Sequence, residues 1–259
     1  MPSTLQLITG VCFAATIAIV AYRLGLLSPS GAFAAIVVGA CAFGVGGWRA
    51  AAPLLTFFAT SNLLARYKRK VKHNREVEKS GPRDAQQVLA NGGIAAVAIV
   101  AEALWPDHAR ICNVAFVAAL AEANADTWAT EIGSASRGPA RLITTLRPVP
   151  PGRSGGVTVP GTLAALAGSA VVALSALPLL GTDASRSLVA VTLCGFAGSL
   201  IDSFLGATLQ ARYSSVDDHY AESPRIGFTL AGGLAWVRND MVNLIGTLSA
   251  SLFAIAALR

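Results

Sequence analysis

Almost the whole chain divides into apolar runs of about 20 residues, separated by short polar or glycine- and proline-containing segments. A helix needs about 20 apolar residues to cross the ~30 Å hydrocarbon core of a bilayer. Strands of a membrane barrel would instead give ~10-residue segments of alternating polarity, and this chain does not alternate. Only 13% of its residues are charged, against roughly 25% in a soluble domain. The sequence therefore predicts an all-α fold, a polytopic transmembrane helix bundle.

We expect about eight spans in a single integral membrane domain that covers residues 1–259. The apolar runs lie at approximately 5–27, 32–45, 50–64, 91–105, 111–132, 157–180, 188–209 and 241–258. The first run lacks a basic leader and a small-residue cleavage site, so we interpret it as a span and not as a removed signal peptide. After Ile226, one span preceded by a short helix fits the remaining length better than two spans.

Two long hydrophilic segments interrupt the apolar runs: residues 66–87 are basic, and residues 133–156 are rich in Gly, Pro and Arg. If the N-terminus lies outside, most of the 20 Lys and Arg residues fall in inner loops. Positive residues concentrate on the cytoplasmic side of membrane proteins. We therefore predict an outside N-terminus and two cytosolic long loops, in the inner or plasma membrane if the chain is bacterial.

The net charge of +6 would suggest a nucleic-acid partner in a soluble protein. Here the excess lies in loops, where it sets membrane topology, so we expect no nucleic-acid binding. The four cysteines fall within apolar runs without paired spacing, which is typical of small apolar residues and not of disulfides. The three histidines are scattered over loops and form no zinc pattern.

Acidic residues nevertheless interrupt three of the apolar runs. Asp126 lies in AEANADTWATEIG, Asp202 in GSLIDSFLGATLQ and Asp240 in WVRNDMVN. A charged side chain at the bilayer centre costs ~2.5–3.5 kcal/mol on insertion scales, and such residues usually face the bundle interior and mark a functional site. With the N-terminus outside, all three lie toward the cytoplasmic ends of their spans. We therefore expect them to converge at one depth and to open toward the cytoplasm.

Helical spacing places further polar and small residues on the same faces. Glu122 and Asp126 are four residues apart and share a face. Two later stripes are Gly195, Ser199, Asp202, Gly206 and Gln210, and Asn239, Asp240, Asn243 and Thr247. Polar packing between helices is the alternative interpretation of each position. Glu131 points about 140° away from Asp126 on a straight helix and would rejoin the site only if the helix breaks near Gly133.

The residue types favour phosphate chemistry with a divalent cation. Mg²⁺ is bound by one or two carboxylates together with phosphate and water, so Asp126, Asp202 and Asp240 are candidate metal ligands. A proton or cation pathway would use the same acids, which therefore do not distinguish an enzyme from a transporter. The segment from Arg153 to Thr158 combines a guanidinium, hydroxyls and Gly-Gly at a predicted helix start, a setting that suits phosphate. A turn followed by a helix cap is the alternative.

Five segments, in this order, resemble an integral membrane family that includes the plant phytyl-phosphate kinase of the vitamin E pathway and animal transmembrane protein 19. They are GPRDAQQVLANGG, ADTWATEIGS, LITTLRPVPPGRSGGVT, GSLIDSFLGATLQ and WVRNDMVN. The resemblance implies phosphoryl transfer from a CTP-type nucleotide to a polyprenyl monophosphate, which becomes a diphosphate. The catalytic residues it implies are Asp126, Glu131, Asp202 and Asp240.

The resemblance also implies a set of phosphate-binding residues: Arg83, Asn91, Arg153, Ser154, Gly155, Gly156 and Thr158. Asn239 and Asn243, from the polar stripe of the last span, complete the candidates. The expected function is thus a Mg²⁺-dependent membrane kinase whose partners are a nucleoside triphosphate, an isoprenyl phosphate and membrane lipids. A transporter or flippase of a lipid phosphate or small anion, a cytidylyltransferase, and a purely structural protein are the alternatives.

Overall fold

The computed structural model describes residues 2–71, 81–136, 138–181, 183–215 and 220–258, and this part of the chain is mostly helical. Its α-helices are α1 (Thr4–Arg23), α2 (Pro29–Val71), α3 (Ala85–Leu104), α4 (Ala109–Ala135), α5 (Val159–Ser175), α6 (Leu177–Leu180), α7 (Ala184–Thr208) and α8 (Asn239–Leu258). A 3₁₀ turn, Pro106–His108, joins α3 to α4. The middle of the predicted basic loop, with His73, and also His219 lie outside the described residues.

In the described part of the chain, five helical segments are long and apolar enough to cross a membrane: α1, Pro29–Arg66 of α2, α3, α7 and α8. Helix α5 is apolar but has only 17 residues. The prediction of a polytopic membrane protein is therefore confirmed. The count of about eight spans and the outside N-terminus stay predictions.

Helix α2 is broken at Gly47, which has a φ of 61° and a ψ of −155°. A straight 43-residue helix would be about 65 Å long, roughly twice the hydrocarbon thickness. Glycine adopts the positive φ without the steric penalty of a Cβ. The first arm packs on α1, where Gly44 faces Gly10. The second arm returns, so that Arg66 Nη2 lies 3.5 Å from the carbonyl oxygen of Leu24, and the two arms correspond to the second and third predicted spans.

Helix α4 lies at the centre of the bundle and packs against α2, α3, α5, α7 and α8. Every residue from Asn113 to Ala125 is buried. Phe116 and Leu120 contribute its large side chains to the core. A helix surrounded by protein can carry acids without exposing them to lipid. This position explains why the most polar of the predicted spans is the central one.

In the described residues, the connections between helices form two small antiparallel sheets, which the all-α prediction misses. The first has the order β2-β1-β3, with β1 Ala140–Leu142, β2 Pro148–Val149 and β3 Gly156–Val157. The second has the order β5-β4-β6, with β4 Arg212–Ser215, β5 Tyr220–Ala221 and β6 Phe228–Gly232. Strand β6 occupies the region in which a short helix before the last span was expected, so that prediction is wrong.

The long connections gather at one end of the bundle, which we call the loop end. There Ser28 N donates to the carbonyl oxygen of Arg83 at 3.0 Å, and Gly155 packs on Ala207 near the end of α7. Helices α1, α4 and α7 finish at this end, whereas α3, α5 and α8 begin there. Several predicted boundaries shift by a few residues; among them, α4 continues to Ala135 and α3 already begins at Ala85.

Candidate functional site

Two aspartates from distant parts of the chain meet near the loop end. The carboxyl groups of Asp126 in α4 and Asp202 in α7 lie next to each other. Asp202 is only 9% exposed, and Asp126 is half-buried. Two carboxylates at this range repel each other strongly where water is scarce. The arrangement therefore favours a positive ligand between them.

The small-residue stripe of α7 makes this contact possible. Gly195, Ser199, Asp202 and Gly206 are all buried, as the helical spacing predicts. A Cβ at Gly195 would lie 2.8 Å from that of Ala121, so α4 and α7 approach each other as closely as backbones allow. The stripe faces protein and not lipid.

Glu122 extends the acidic site one turn deeper into the bundle. It is 1% exposed, and neither of its carboxylate oxygens has a hydrogen-bond partner among the described residues. Gly198 of α7 and Gly246 of α8 leave the space for it: a Cβ on Gly246 would lie 2.5 Å from Glu122 Oε1. A buried carboxylate without partners is costly. The presence of this costly carboxylate beside Asp126 and Asp202 indicates that Glu122 has a functional role.

Helix α8 connects the acidic pair to α3 through two asparagines. With its amide nitrogen turned toward Asp202, Asn243 donates to Asp202 Oδ2 at 3.0 Å. Its other terminal atom lies 3.1 Å from Asn91 Oδ1. A continuous row of polar side chains thus runs from Asp202 to Asn91. Asn91 and Asn243, both predicted phosphate-binding residues, thus lie beside the acidic pair, and their binding role stays a prediction.

The glycine-rich loop before α5 packs over the end of α7, one turn from Asp202. Gly155 has a φ of 76°, and a Cβ there would collide with Ala207. Ser154 hydrogen-bonds to Glu222 Oε1 and accepts from Gln210 Nε2 at 3.0 Å. The charge of Glu222 also acts on both Asp126 and Asp202. The loop, the end of α7 and the segment after β5 therefore close the site from the loop end.

The donor atoms suit a hard cation bound by few protein ligands. Asp126 and Asp202 present carboxylate oxygens, which Mg²⁺ prefers, and Mg²⁺ usually keeps waters and phosphate oxygens in its remaining positions. Within the described ranges, no group of three or more His, Cys, Asp or Glu side chains is arranged to hold an ion. The pair fits the cation, and the three-aspartate set stays a prediction.

Comparison with known proteins identifies the family. The family model described as integral membrane protein DUF92 matches residues 12–251, which is most of the chain. The protein belongs to the DUF92 family. The resemblance inferred from the five sequence segments is thereby confirmed. No solved structure matches the chain.

Relatives of this DUF92 protein occur in plants and bacteria. Protein PGR of Arabidopsis thaliana is 35% identical over 97% of this chain and 96% of its own length. An uncharacterized membrane protein of Synechocystis is 29% identical over 89% of this chain and 82% of its own. Protein VTE6, chloroplastic, of Arabidopsis thaliana is 27% identical over 68% of this chain, which spans 46% of VTE6.

Two of the predicted catalytic residues lie at the edge of this site. Helix α4 does not break near Gly133 but continues to Ala135, so Glu131 stays on a different side of the helix from Asp126. Asp240 lies in the first turn of α8, three residues before Asn243, and is half-buried. Their catalytic roles stay predictions.

Several predicted phosphate-binding residues have structural contacts in this protein. Thr158 is the N-cap of α5 and accepts from Gly161 N at 3.1 Å, which agrees with the turn-and-cap alternative. Gly156 pairs with Leu142 between β3 and β1. Arg83 is fixed by its main chain to the turn between α1 and α2. Asn239 begins α8, and its carbonyl oxygen lies 3.1 Å from the Asn243 amide.

The site contains groups that were not among the predicted catalytic or binding residues. The i, i+4 spacing already places Glu122 on the face of Asp126, but the sequence analysis gives it no role. Gln210 continues the α7 stripe and is 2% exposed. Glu222 had no signal, because it reaches Ser154 only after β4, β5 and β6 fold the polar segment back over α7.

Proposed function

We propose that this protein is a Mg²⁺-dependent membrane kinase that transfers a phosphoryl group from a CTP-type nucleoside triphosphate to a polyprenyl monophosphate. The observation that carries the proposal is the contact between Asp126 and Asp202 inside the bundle, beneath a glycine-rich loop. The DUF92 family and the partial similarity to VTE6 support the same class of reaction. By the positive-inside rule, the loop end faces the cytoplasm.

In the proposed reaction, an oxygen of the lipid phosphate attacks the terminal phosphorus of the nucleotide. A new P–O–P bond forms as the bond to the nucleoside diphosphate breaks, and the lipid becomes a diphosphate. Mg²⁺ held by Asp126 and Asp202 would neutralise charge on the transferring group. A phosphate monoester is already anionic near neutral pH, so no histidine base is required.

The chain's own residues position the two phosphates. We assign the nucleotide phosphates to the glycine-rich loop around Gly155, which packs over the end of α7 near Asp202, because glycine allows close approach to phosphate oxygens. Ser154 hydrogen-bonds to Glu222 in this structure, so a nucleotide that uses the Ser154 hydroxyl must displace that carboxylate. Asn243 keeps Asp202 oriented from the α8 side.

The test uses the purified protein with nucleotide labelled in its terminal phosphate and a panel of lipid monophosphates. Transfer of the label to a prenyl phosphate, dependent on Mg²⁺, is the expected result. Release of pyrophosphate together with a cytidylylated lipid would identify a cytidylyltransferase instead. No product with any nucleotide and lipid phosphate of the panel would overturn the kinase.

A transporter is the second candidate, and the position of Glu122 favours it. A carboxylate buried beyond the acidic pair, without hydrogen-bond partners among the described residues, is typical of proton relays in membranes. This function predicts nucleotide-independent movement of a lipid phosphate across liposomes, lost in Glu122→Gln. Flux that is equal in the wild-type protein and protein-free liposomes would exclude it.

A further inference from the structure

A cavity lies between α1, both arms of α2 and the start of α3, beside the acidic site but separate from it. It contains about 700 Å³ of empty space, which includes the space at its open side. One face of α1 contributes Ala14, Ala18 and Ala21, and the second arm of α2 contributes Phe57 and Phe58. Among its described lining residues, only Arg83, Gln87 and Asn91 are polar.

These three polar residues share one end of the cavity. Arg83 lies just before α3, and Gln87 and Asn91 lie in its first two turns, so all three are at the loop end. The opposite end is formed by Ala14 and Phe43. The cavity is therefore amphipathic along its length, with a cationic and amide-lined head and an apolar body that lies between α1 and the two arms of α2.

The polar end of the cavity is connected to the acidic site. Asn91 lines the cavity, lies 3.1 Å from the Asn243 amide, and Asn243 in turn lies 3.0 Å from Asp202. A phosphate at Asn91 would therefore lie next to the group that orients Asp202. Arg83 supplies a positive charge at this end, next to the N-cap Asp84 of α3, and the sequence from Thr4 to Val71 contains no Asp or Glu.

We propose that this cavity holds the apolar tail of a single-chain lipid monophosphate, whose phosphate lies between Arg83 and Asn91 and faces Asp202. The proposal rests on the kinase function and adds the place and direction of the acceptor lipid. The glycine-rich loop at Ser154 then receives the nucleotide from the other side of the acidic pair. The lipid tail and the nucleotide therefore reach the acidic pair from different sides: the tail from the cavity between α1, α2 and α3, and the nucleotide from the glycine-rich loop.

The experiment narrows the cavity at Ala35, which is half-buried and lines it one to two turns below Arg83. The variants Ala35→Leu and Ala35→Trp, in the first arm of α2, are compared with Ala59→Trp, whose alanine is exposed on the second arm. We expect kcat/KM for a twenty-carbon prenyl phosphate to fall about tenfold or more in Ala35→Trp, since one misplaced methylene is worth ~10–200-fold. The five-carbon prenyl phosphate should change less than twofold, as should both substrates in Ala59→Trp.

Binding is measured separately from catalysis. An alkyl phosphate with a photoreactive diazirine at its tail end is incorporated into phosphatidylcholine vesicles with each protein. Crosslinks to the cavity-lining peptides of α1 and α2, reduced in Ala35→Trp but not in Ala59→Trp, are the expected result. Normal kinase activity with no chain-length effect and no such crosslinks would overturn the tail site alone, whereas crosslinks without any phosphoryl transfer would overturn the kinase and retain the lipid site.

Discussion

Glycines allow close contacts on both sides of the bundle, but one glycine faces backbone and the other faces an acidic side chain. Between α1 and α2, a Cβ at Gly10 would lie 2.5 Å from the backbone of Gly44. Between α4 and α8, a Cβ at Gly246 would lie 2.5 Å from Glu122 Oε1. Small residues therefore suffice for close packing, and the first region has no acidic residue at all. The acids of the second region are not needed for packing, which supports the role that we propose for them in phosphoryl transfer.

Removing one charge of the acidic pair should have the largest effect. Asp202→Asn keeps the shape of the side chain but weakens cation binding. Because metal charge stabilisation is worth several kcal/mol, we expect prenyl-phosphate kinase activity to fall at least about a hundredfold, measured by transfer of labelled phosphate. Asp107→Asn, at an exposed position of the turn before α4, is the matched control. Equal activity of the two variants would show that Asp202 is only a packing residue.

Overpacking the two close contacts should separate stability from activity. Gly246→Ala forces a methyl group against Glu122 and to 3.5 Å from Asp202 Cβ, so we expect a loss of about 1–3 kcal/mol of stability together with lower activity per folded protein. Gly10→Ala should lower the thermal midpoint similarly, while the activity of the folded fraction stays unchanged.

The control for both glycine variants is Gly93→Ala. A Cβ there meets nothing nearer than Leu89 Cβ at 4.0 Å, and alanine is favoured over glycine in a helix by up to about 1 kcal/mol. Its thermal midpoint in detergent should equal or exceed that of the wild type. A loss of activity in Gly10→Ala as large as in Gly246→Ala would remove the distinction between the two regions.

The smallest effect should come from the ion pair at the opposite end of the bundle. Arg110 Nη2 and Asp183 Oδ2 are 3.0 Å apart, but their side chains are 50% and 56% exposed. Exposed pairs contribute about 0.2–1 kcal/mol. We therefore expect Arg110→Gln to change the thermal midpoint slightly and kinase activity not at all. A marked loss of activity would place part of the functional machinery away from the loop end.

Much of the helical framework was predictable, because apolar length and small polar stripes act through local periodicity. The stripe of Gly195, Ser199, Asp202 and Gly206 is buried as its spacing predicts, and Gly47 separates the two arms of α2. The short strands were not predictable. Elements such as β2 and β3, with two residues each, have no room for an alternating pattern.

The composition of the site was predicted only in part, for a related reason. The convergence of Asp126 and Asp202 was predictable, because acids that interrupt apolar runs are expected to avoid lipid and face the bundle interior. The contacts of Glu222 with Ser154 and of Asn243 with Asn91 depend on the conformations of the loops and on the rotation of each helix about its axis. No spacing rule within one helix or strand encodes such pairs.

Binding of Mn²⁺ in place of Mg²⁺, followed by electron paramagnetic resonance of the purified protein with nucleotide present, tests the acidic pair most directly. The wild-type protein should bind the ion with a spectrum that changes when prenyl phosphate is added. The double variant Asp126→Asn with Asp202→Asn, shown to be folded by its thermal midpoint, should lose both the bound signal and the change. Equal Mn²⁺ binding and an equal spectral change in the two proteins would contradict a cation site built on these two aspartates.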